Sequence, residues 1–287
     1  MSTPDRIAAK FLGILAFVFG ASAPGIAETN GWAAMDTPSF GPARVHGYYA
    51  NGCIAGARAL PKRGRGFVVL RPQRNRYWGH PSLVAFVQDF ARQVAERGQL
   101  LLIADLGQPR GGPVSGHASH QAGLDADIRL KVLPHDRATK RYLAKPPYVS
   151  MLTKTRRTID RRRWSPRQTQ LIRTAARDPR VDRIFVHPVI KRELCRTTNG
   201  NRSWLAKVVP WYGHHAHMHV RLRCPTDSPG CKRQRTLPRG DGCGKALAWW
   251  IARLRGKRPT RPARPSRPVK PRPRKVMPQA CRTVLAR

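Results

Sequence analysis

Six cysteines run from Cys53 to Cys281, an even set with no CxxC pair among them. That spacing argues against a zinc ribbon or a thioredoxin-type redox motif, and for three disulfides formed in an oxidising compartment. Sequence alone leaves the pairing open. A chain of 287 residues can bury an ample core unaided, so the bridges brace a fold and do not create it. Oxidation requires export, and the first residues read as an export signal. Arg6 and Lys10 form a positive start, Phe11 to Ala23 a short apolar core, and the small residues Gly25 and Ala27 suit cleavage after Ala27. Pro24 makes cleavage after Ala23 a poor alternative. The expectation is a signal peptide over 1–27, a periplasmic mature protein and no transmembrane anchor after cleavage.

Lys and Arg number 55 against 15 Asp and Glu, a formal net charge of +40. An anionic partner follows from that imbalance. Much of the charge sits in a C-terminal tail (255–287), where Arg258-Pro259, Arg261-Pro262, Arg264-Pro265, Arg267-Pro268, Lys270-Pro271 and Arg272-Pro273 repeat. Such text favours extended polyproline II and cannot build a core. Cys281 beyond it can pin the far end back. No helix-turn-helix, RRM or OB pattern accompanies the charge, and export removes most nucleic-acid targets, so no nucleic-acid partner is expected. Anionic polymers of the cell envelope are the expected partner of the tail.

Between these ends, 28–254 reads as one domain. Residues 28–66 are turn-rich, and Phe67 to Leu70 is strand-like. Leu83, Phe86, Val87, Phe90 and Val94 lie on one helical stripe over 81–97. Leu100 to Ala104 is a buried strand, Gly107 to Gly116 a Gly/Pro-rich loop, and Gly123 to Leu130 a strand. Lys131 to Arg163 is a basic, poorly periodic insertion. Ser165-Pro166 opens a second helix as N-cap and first residue. Arg183 to Val186 is a strand, Ser203 to Val208 a short helix, and His217 to Arg223 an alternating strand. Short strands mixed with a few helices and long loops predict an α+β fold with an antiparallel sheet core.

Six of the ten histidines fall in two clusters, His117/His120 and His214/His215/His217/His219. On a strand, His217 and His219 point to one face and Met218 to the other, and Asp125 and Asp127 share a face by the same alternation. His120 stands at the loop junction before that strand. Two histidines and a carboxylate from neighbouring strands make an open zinc site with water in the fourth position. A lone HxH is usually a surface feature. The two clusters together, behind a Gly-rich loop, point to metal chemistry. Ala126 and Ile128 flank Asp127, which argues against an exposed, solubilising role. Asp125 is either a partner of a ligand or a turn-stabilising acid.

The chain resembles the penicillin-insensitive murein endopeptidases, zinc peptidases grouped with the lysostaphin-type and D-Ala-D-Ala enzymes. The resemblance rests on GHASHQ at 116–121, GLDADI at 123–128 and AHMHVRLRCP at 216–225. Flanking pieces agree: NGCI at 51–54, YWGHP at 77–81, RIFV at 183–186 and GDGCG at 240–244. It spans nearly all of 28–254 and retains all the cysteines.

By this resemblance His120, Asp127 and His219 match zinc ligands, and His217 and His214 match catalytic histidines. The implied substrate is peptidoglycan, cut at the D-alanyl–meso-diaminopimelate cross-link by metal-assisted hydrolysis without a serine nucleophile. His217 would take the proton of the attacking water and His214 would stabilise the oxyanion, and the two roles can be exchanged. The implied disulfides are Cys53–Cys281, Cys195–Cys243 and Cys224–Cys231. In the family a residue matching His117 can join an Asp and a His of the following insertion around a second metal at a dimer contact. Here 151–163 has no histidine, and Asp160 is its only acid. This weakens the case for a second metal and a homodimer. It leaves His117 either a ligand of such a metal or a residue one layer outside the zinc.

Overall fold

The structure is a computed structural model that describes residues 31–134, 140–254 and 276–286. The expected signal peptide and the Arg/Lys-Pro repeats lie outside them. A hairpin of β1 (Arg44–Tyr48) and β2 (Asn51–Ala55) opens the fold, followed by β3 (Arg58–Ala59), β4 (Arg63–Gly64), β5 (Phe67–Val69) and β6 (Trp78–Gly79). Next come α1 (Pro81–Ala95), β7 (Gln99–Ile103), β8 (Asp125–Arg129), β9 (Leu133–Pro134), α2 (Lys140–Ala144) and α3 (Pro166–Arg177). The chain continues through β10 (Val181–Val186), α4 (Pro188–Thr197), β11 (Val208–Pro210), β12 (His217–Leu222), α5 (Lys245–Leu254) and α6 (Gln279–Ala286). Ser203–Lys207 forms a 3-10 turn.

One sheet dominates, in the order β11-β10-β12-β8-β7-β5-β4, with β9 also on β7. Its centre, β10 through β7, is antiparallel, while β5·β7 and β10·β11 pair in parallel. The fold is therefore α+β and mostly antiparallel.

Alternation along these strands splits the sheet into two unlike faces. Leu101 and Ile103 of β7, Ala126 and Ile128 of β8, Met218, Val220 and Leu222 of β12, and Ile184 and Val186 of β10 enter one core with the apolar stripes of α1 and α3. His80 caps α1 by accepting from the Ser82 N–H, with Pro81 at the first position. Leu83, Phe86 and Phe90 then bury fully, each contributing about 1.5–3 kcal/mol. Ser165 and Gln168 form a reciprocal capping box on α3. The other face carries Asp125, Asp127 and Arg129 opposite Arg221, His219 and His217 in cross-strand register. A small apolar cluster of Val68, Leu70, Leu100, Leu102, Leu133 and Leu143 closes that face at the β5 end.

Three disulfides staple the loops. Cys53 bonds Cys281, Cys195 bonds Cys243, and Cys224 bonds Cys231. The first carries α6 onto β2, where Trp32 and Val284 bury with the two sulfurs. Residues 28–66, read as turns, hold the β1–β2 hairpin, whose two-residue connection follows Tyr48. The insertion 131–163 holds β9 and α2. Helices α4, α5 and α6 have no counterpart in the sequence reading.

Candidate metal centre

Asp127 is the hub of the polar face. It is 4 % exposed, and four histidine nitrogens approach its carboxylate. His219 Nδ1 lies 3.3 Å from Oδ1, His120 Nε2 3.4 Å and His217 Nε2 3.6 Å, while His117 Nδ1 lies 3.7 Å from Oδ2. Ligand atoms of His117, His120 and Asp127 all fall within 4.8 Å of one another, a spacing suited to one metal ion.

Each of the three innermost histidines has an acceptor behind it, and for His120 and His117 a hydrogen bond fixes the tautomer. His120 Nδ1 donates to the Leu106 carbonyl at 2.5 Å, which leaves Nε2 bare. His117 Nε2 sits 2.9 Å from Asp105 Oδ2, which leaves Nδ1 bare. His219 Nε2 faces Asp125 Oδ1 at 3.0 Å, which leaves Nδ1 bare. The bare nitrogens all turn toward Asp127. His120 Nε2 and Asp127 Oδ1 are buried acceptors with no hydrogen-bond partner. Two such acceptors facing each other repel and stay desolvated unless a cation lies between them. The donor set, imidazole and carboxylate, is that of zinc sites. The residues present fit a metal ion.

The support is as ordered as the centre. Asp125, fully buried, accepts from the His120 backbone N–H at 3.0 Å and from Arg221 Nε at 2.7 Å and Nη2 at 3.2 Å. His120 has a left-handed backbone (φ 68°), a strained conformation that this bond and its own contact to Leu106 hold in place. Asp125 therefore combines both readings: it holds the turn at His120 and lies 3.0 Å from His219 Nε2. Arg221 lies between the rings of Tyr49 (4.2 Å) and Phe185 (5.1 Å). Asp105 is approached by Arg71, Arg74 and Arg76 besides His117. Burial alone would raise the Asp105 carboxyl, but the His117 hydrogen bond and the neighbouring arginines Arg74 and Arg71 hold it near about 2.

His217 and His214 stand beside the cluster, their ring centres 5.0 Å apart. Burial lowers both, and His217 and His219 push His214 further, to about 3. Both imidazoles are therefore neutral near pH 7 and can accept a proton. A cavity of about 470 Å³ opens over them, lined also by His117, Tyr48, Phe185 and Trp211. His215 does not join the site. Its Nδ1 lies 2.9 Å from Ser150 Oγ and its ring packs edge-on against Tyr148.

Asp160 is engaged within the insertion by the Arg162 N–H and by Arg163. The structure thus places His117 with the inner cluster. Asp105, Arg221, Tyr49 and Trp211 are functional surroundings that the sequence reading missed. Arg221 was findable, because it lies two residues beyond His219 on the same alternating strand. Asp105, an acid directly after an apolar run, was the other available signal.

A family model described as penicillin-insensitive murein endopeptidase matches residues 45–286. Among curated proteins, a penicillin-insensitive murein endopeptidase of Klebsiella pneumoniae (strain 342) is 46 % identical over 233 residues, 80 % of this chain and 84 % of that protein. Its counterpart in Pectobacterium atrosepticum is 40 % identical over 280 residues, 96 % of each chain. One from Escherichia coli O1:K1 is 45 % identical over 233 residues. With a match across the hairpin, both histidine clusters and the terminal helix, the chain belongs to the penicillin-insensitive murein endopeptidase family.

Proposed function

We propose that this chain is a zinc-dependent murein endopeptidase that hydrolyses the D-alanyl–meso-diaminopimelate cross-link of peptidoglycan in the periplasm, after loss of 1–27. The observation that carries the reading is the pair of bare, buried acceptors, His120 Nε2 and Asp127 Oδ1, that face each other at 3.4 Å, with Asp127 lining the cavity. His120, Asp127 and His219 are the proposed zinc ligands. His117 is the alternative third histidine, but it approaches the other carboxylate oxygen and is the more exposed of the two, 21 % against 6 %. The chemistry that zinc supplies when bound is Lewis acidity toward a carbonyl and a lowered pKa for water.

The chain's own part is positional and acid–base. His217 Nε2, neutral and on the cavity side of Asp127, accepts the proton of the attacking water and passes it to the leaving amine. His214 Nδ1 donates to the Tyr212 carbonyl at 2.9 Å, which leaves Nε2 as the free ring nitrogen, and the ring stabilises the oxyanion once that nitrogen carries a proton. The two roles exchange if the substrate enters from the other side. No serine is acylated, so a β-lactam has no nucleophile to trap. The Arg/Lys-Pro segment (257–275) holds the enzyme near anionic envelope polymers.

Products formed from purified cross-linked muropeptide dimers, with and without chelator, test the reading. Chelator-sensitive release of monomers with a free D-alanine carboxylate supports it. Full turnover by protein whose metal content is near zero overturns it.

A further inference from the structure

An aromatic ladder leads out of the catalytic cavity. Phe185 and Trp211 line that cavity, with ring centres 5.9 Å apart. Trp211 meets Trp250 of α5 at 5.7 Å, and Trp250 meets Trp249 at 5.3 Å, with Tyr212 against Trp250 at 4.7 Å. Arg253 caps the outer end, 4.5 Å above the Trp249 ring.

Of the six large hydrophobic side chains exposed among the described residues, three are in this ladder: Trp211 at 52 %, Trp249 at 49 % and Tyr212 at 37 %. Chance would scatter such residues, whereas a contiguous patch beside a cleft marks a ligand surface. Nor is the ladder a loose appendage. The Trp211 N–H donates to the Val186 carbonyl of β10, Tyr212 Oη donates to the Trp250 carbonyl, and Cys195–Cys243 fastens the start of α5 to α4. Most of α5 is exposed, with Leu247 its one fully buried residue. Trp249 is thus displayed, while Trp250 is half-buried between it, Trp211 and Tyr212.

Resting on the function proposed above, we infer that this ladder is the subsite for the glycan strand carrying the stem peptide. Pyranose rings present flat C–H faces ringed by hydroxyls, and indole rings match them with a flat apolar face and a polar edge. The span also suits. A stem of three or four extended residues reaches about 10–14 Å at 3.3–3.6 Å per residue. Three ring-to-ring steps of 5.3 to 5.9 Å lead outward from Phe185 beside the catalytic histidines to Trp249. A stem held at the floor therefore ends partway along the ladder, and the sugars it carries continue over the outer rings. Arg253 there places guanidinium donors beside the outermost ring, where sugar hydroxyls can accept from them.

The test uses the full mature chain with zinc, its Trp249→Ala variant and Trp249→Tyr as the conservative control. Two substrates are compared: a cross-linked dimer bearing its disaccharides and the same peptide dimer without sugar. Trp249→Ala should raise KM about fivefold to tenfold on the sugar-bearing dimer, leave the sugar-free dimer unchanged, and weaken sedimentation with peptide-free glycan strands. Trp249→Tyr should restore most of the loss. Equal effects on both dimers, or none on either, overturn the inference. So does strand binding that emerges only after excision of 257–275, which would give the ladder to the chain's own Pro-rich segment. A dimer in sedimentation velocity that Trp249→Ala dissociates would give it to a second copy and also overturn it. Failure of the wild type to cleave either dimer would instead overturn the proposed activity, while strand binding still reports on the ladder.

Discussion

Asp125→Asn keeps the shape of a buried side chain and removes its charge. Arg221, 5 % exposed, then loses the anion that meets its Nε at 2.7 Å and its Nη2 at 3.2 Å. Breaking a buried pair by removing one partner costs about 3–5 kcal/mol. The Tyr49 and Phe185 rings and the Gln234 carbonyl oxygen still hold the guanidinium, which places the expected loss at the low end, about 3 kcal/mol. In a domain of this size that lowers the midpoint of thermal unfolding by about 6–12 °C. Arg221→Met alone should cost a similar amount, and the double variant much less than the two together. Unfolding is to be followed in chelator with disulfides intact, so that metal linkage does not enter. The pH course has a definite sign. Burial alone would raise the Asp125 carboxyl, but Arg221 and His219 overcome it and hold the carboxyl well below the usual range. Its contribution is therefore complete above the unfolded value of about 4 and is lost as pH falls below that toward the native value. The difference between wild type and Asp125→Asn should grow as pH falls from 8 through the titration of His219, whose imidazole Asp125 raises, and should narrow in strong acid as Asp125 itself protonates. Zinc affinity should also drop, by about 10–100-fold, since His219 loses the group behind it. A cost under about 1 kcal/mol, or a double variant whose loss equals the sum of the singles, would refute the coupling.

Three further outcomes are expected. His120→Ala, Asp127→Ala and His219→Ala should lose zinc and activity together, while His217→Ala loses activity and keeps zinc by elemental analysis. Retention of zinc in His219→Ala with its loss in His117→Ala would put His117 in the ligand set. Replacing Cys53 and Cys281 together by Ser should destabilise the domain by about 4–5 kcal/mol in the chain-entropy picture, less any native strain released, measured by urea unfolding without reductant. Excising 257–275 while keeping Cys281 should leave turnover of a soluble muropeptide dimer unchanged and reduce sedimentation with whole sacculi. That reduction should fade between 0.1 M and 1 M salt as the Debye length falls from about 10 Å to about 3 Å, and lost turnover with an intact fold would contradict it.

What was legible in the sequence is what local spacing encodes. His217 and His219, or Asp125 and Asp127, sit two apart, and two-residue alternation alone puts each pair on one face. The stripe of α1 and the Ser165-Pro166 cap of α3 are equally local. Residues whose meaning depends on distant partners were not legible. In α4 the buried positions include Lys191 and Glu193, charged residues that blur the helical stripe. Lys191 Nζ donates to the carbonyls of Leu205 and Asp241, and Glu193 pairs with Arg161 and Arg196. Spacing within α4 gives no hint of either. Helices α5 and α6 do carry apolar stripes, Leu247, Ile251 and Leu254 in one and Cys281 and Val284 in the other, but each is short and borders the basic Pro-rich text that dominates a reading of this end of the chain.

The same distinction explains how so basic a chain can offer a site for a metal ion. With 15 acids against 55 lysines and arginines, a carboxylate placed at random is far more apt to meet a cation than to be left for a ligand role. Asp127 escapes because its neighbours are histidines, which can turn a bare ring nitrogen toward a cation where a guanidinium offers only donors. The nearby arginines are claimed by other acids: Arg221 by Asp125, and Arg71, Arg74 and Arg76 by Asp105. Each of those acids also backs a histidine, His219 for Asp125 and His117 for Asp105. Two flanking carboxylates thus do two things at once. They neutralise the guanidinium charge that would repel a divalent cation, and they turn the bare histidine nitrogens toward it. The Asp127 carboxylate is left as the one buried anion of the stripe that no guanidinium contacts among the described residues, which is the condition for it to bind a metal.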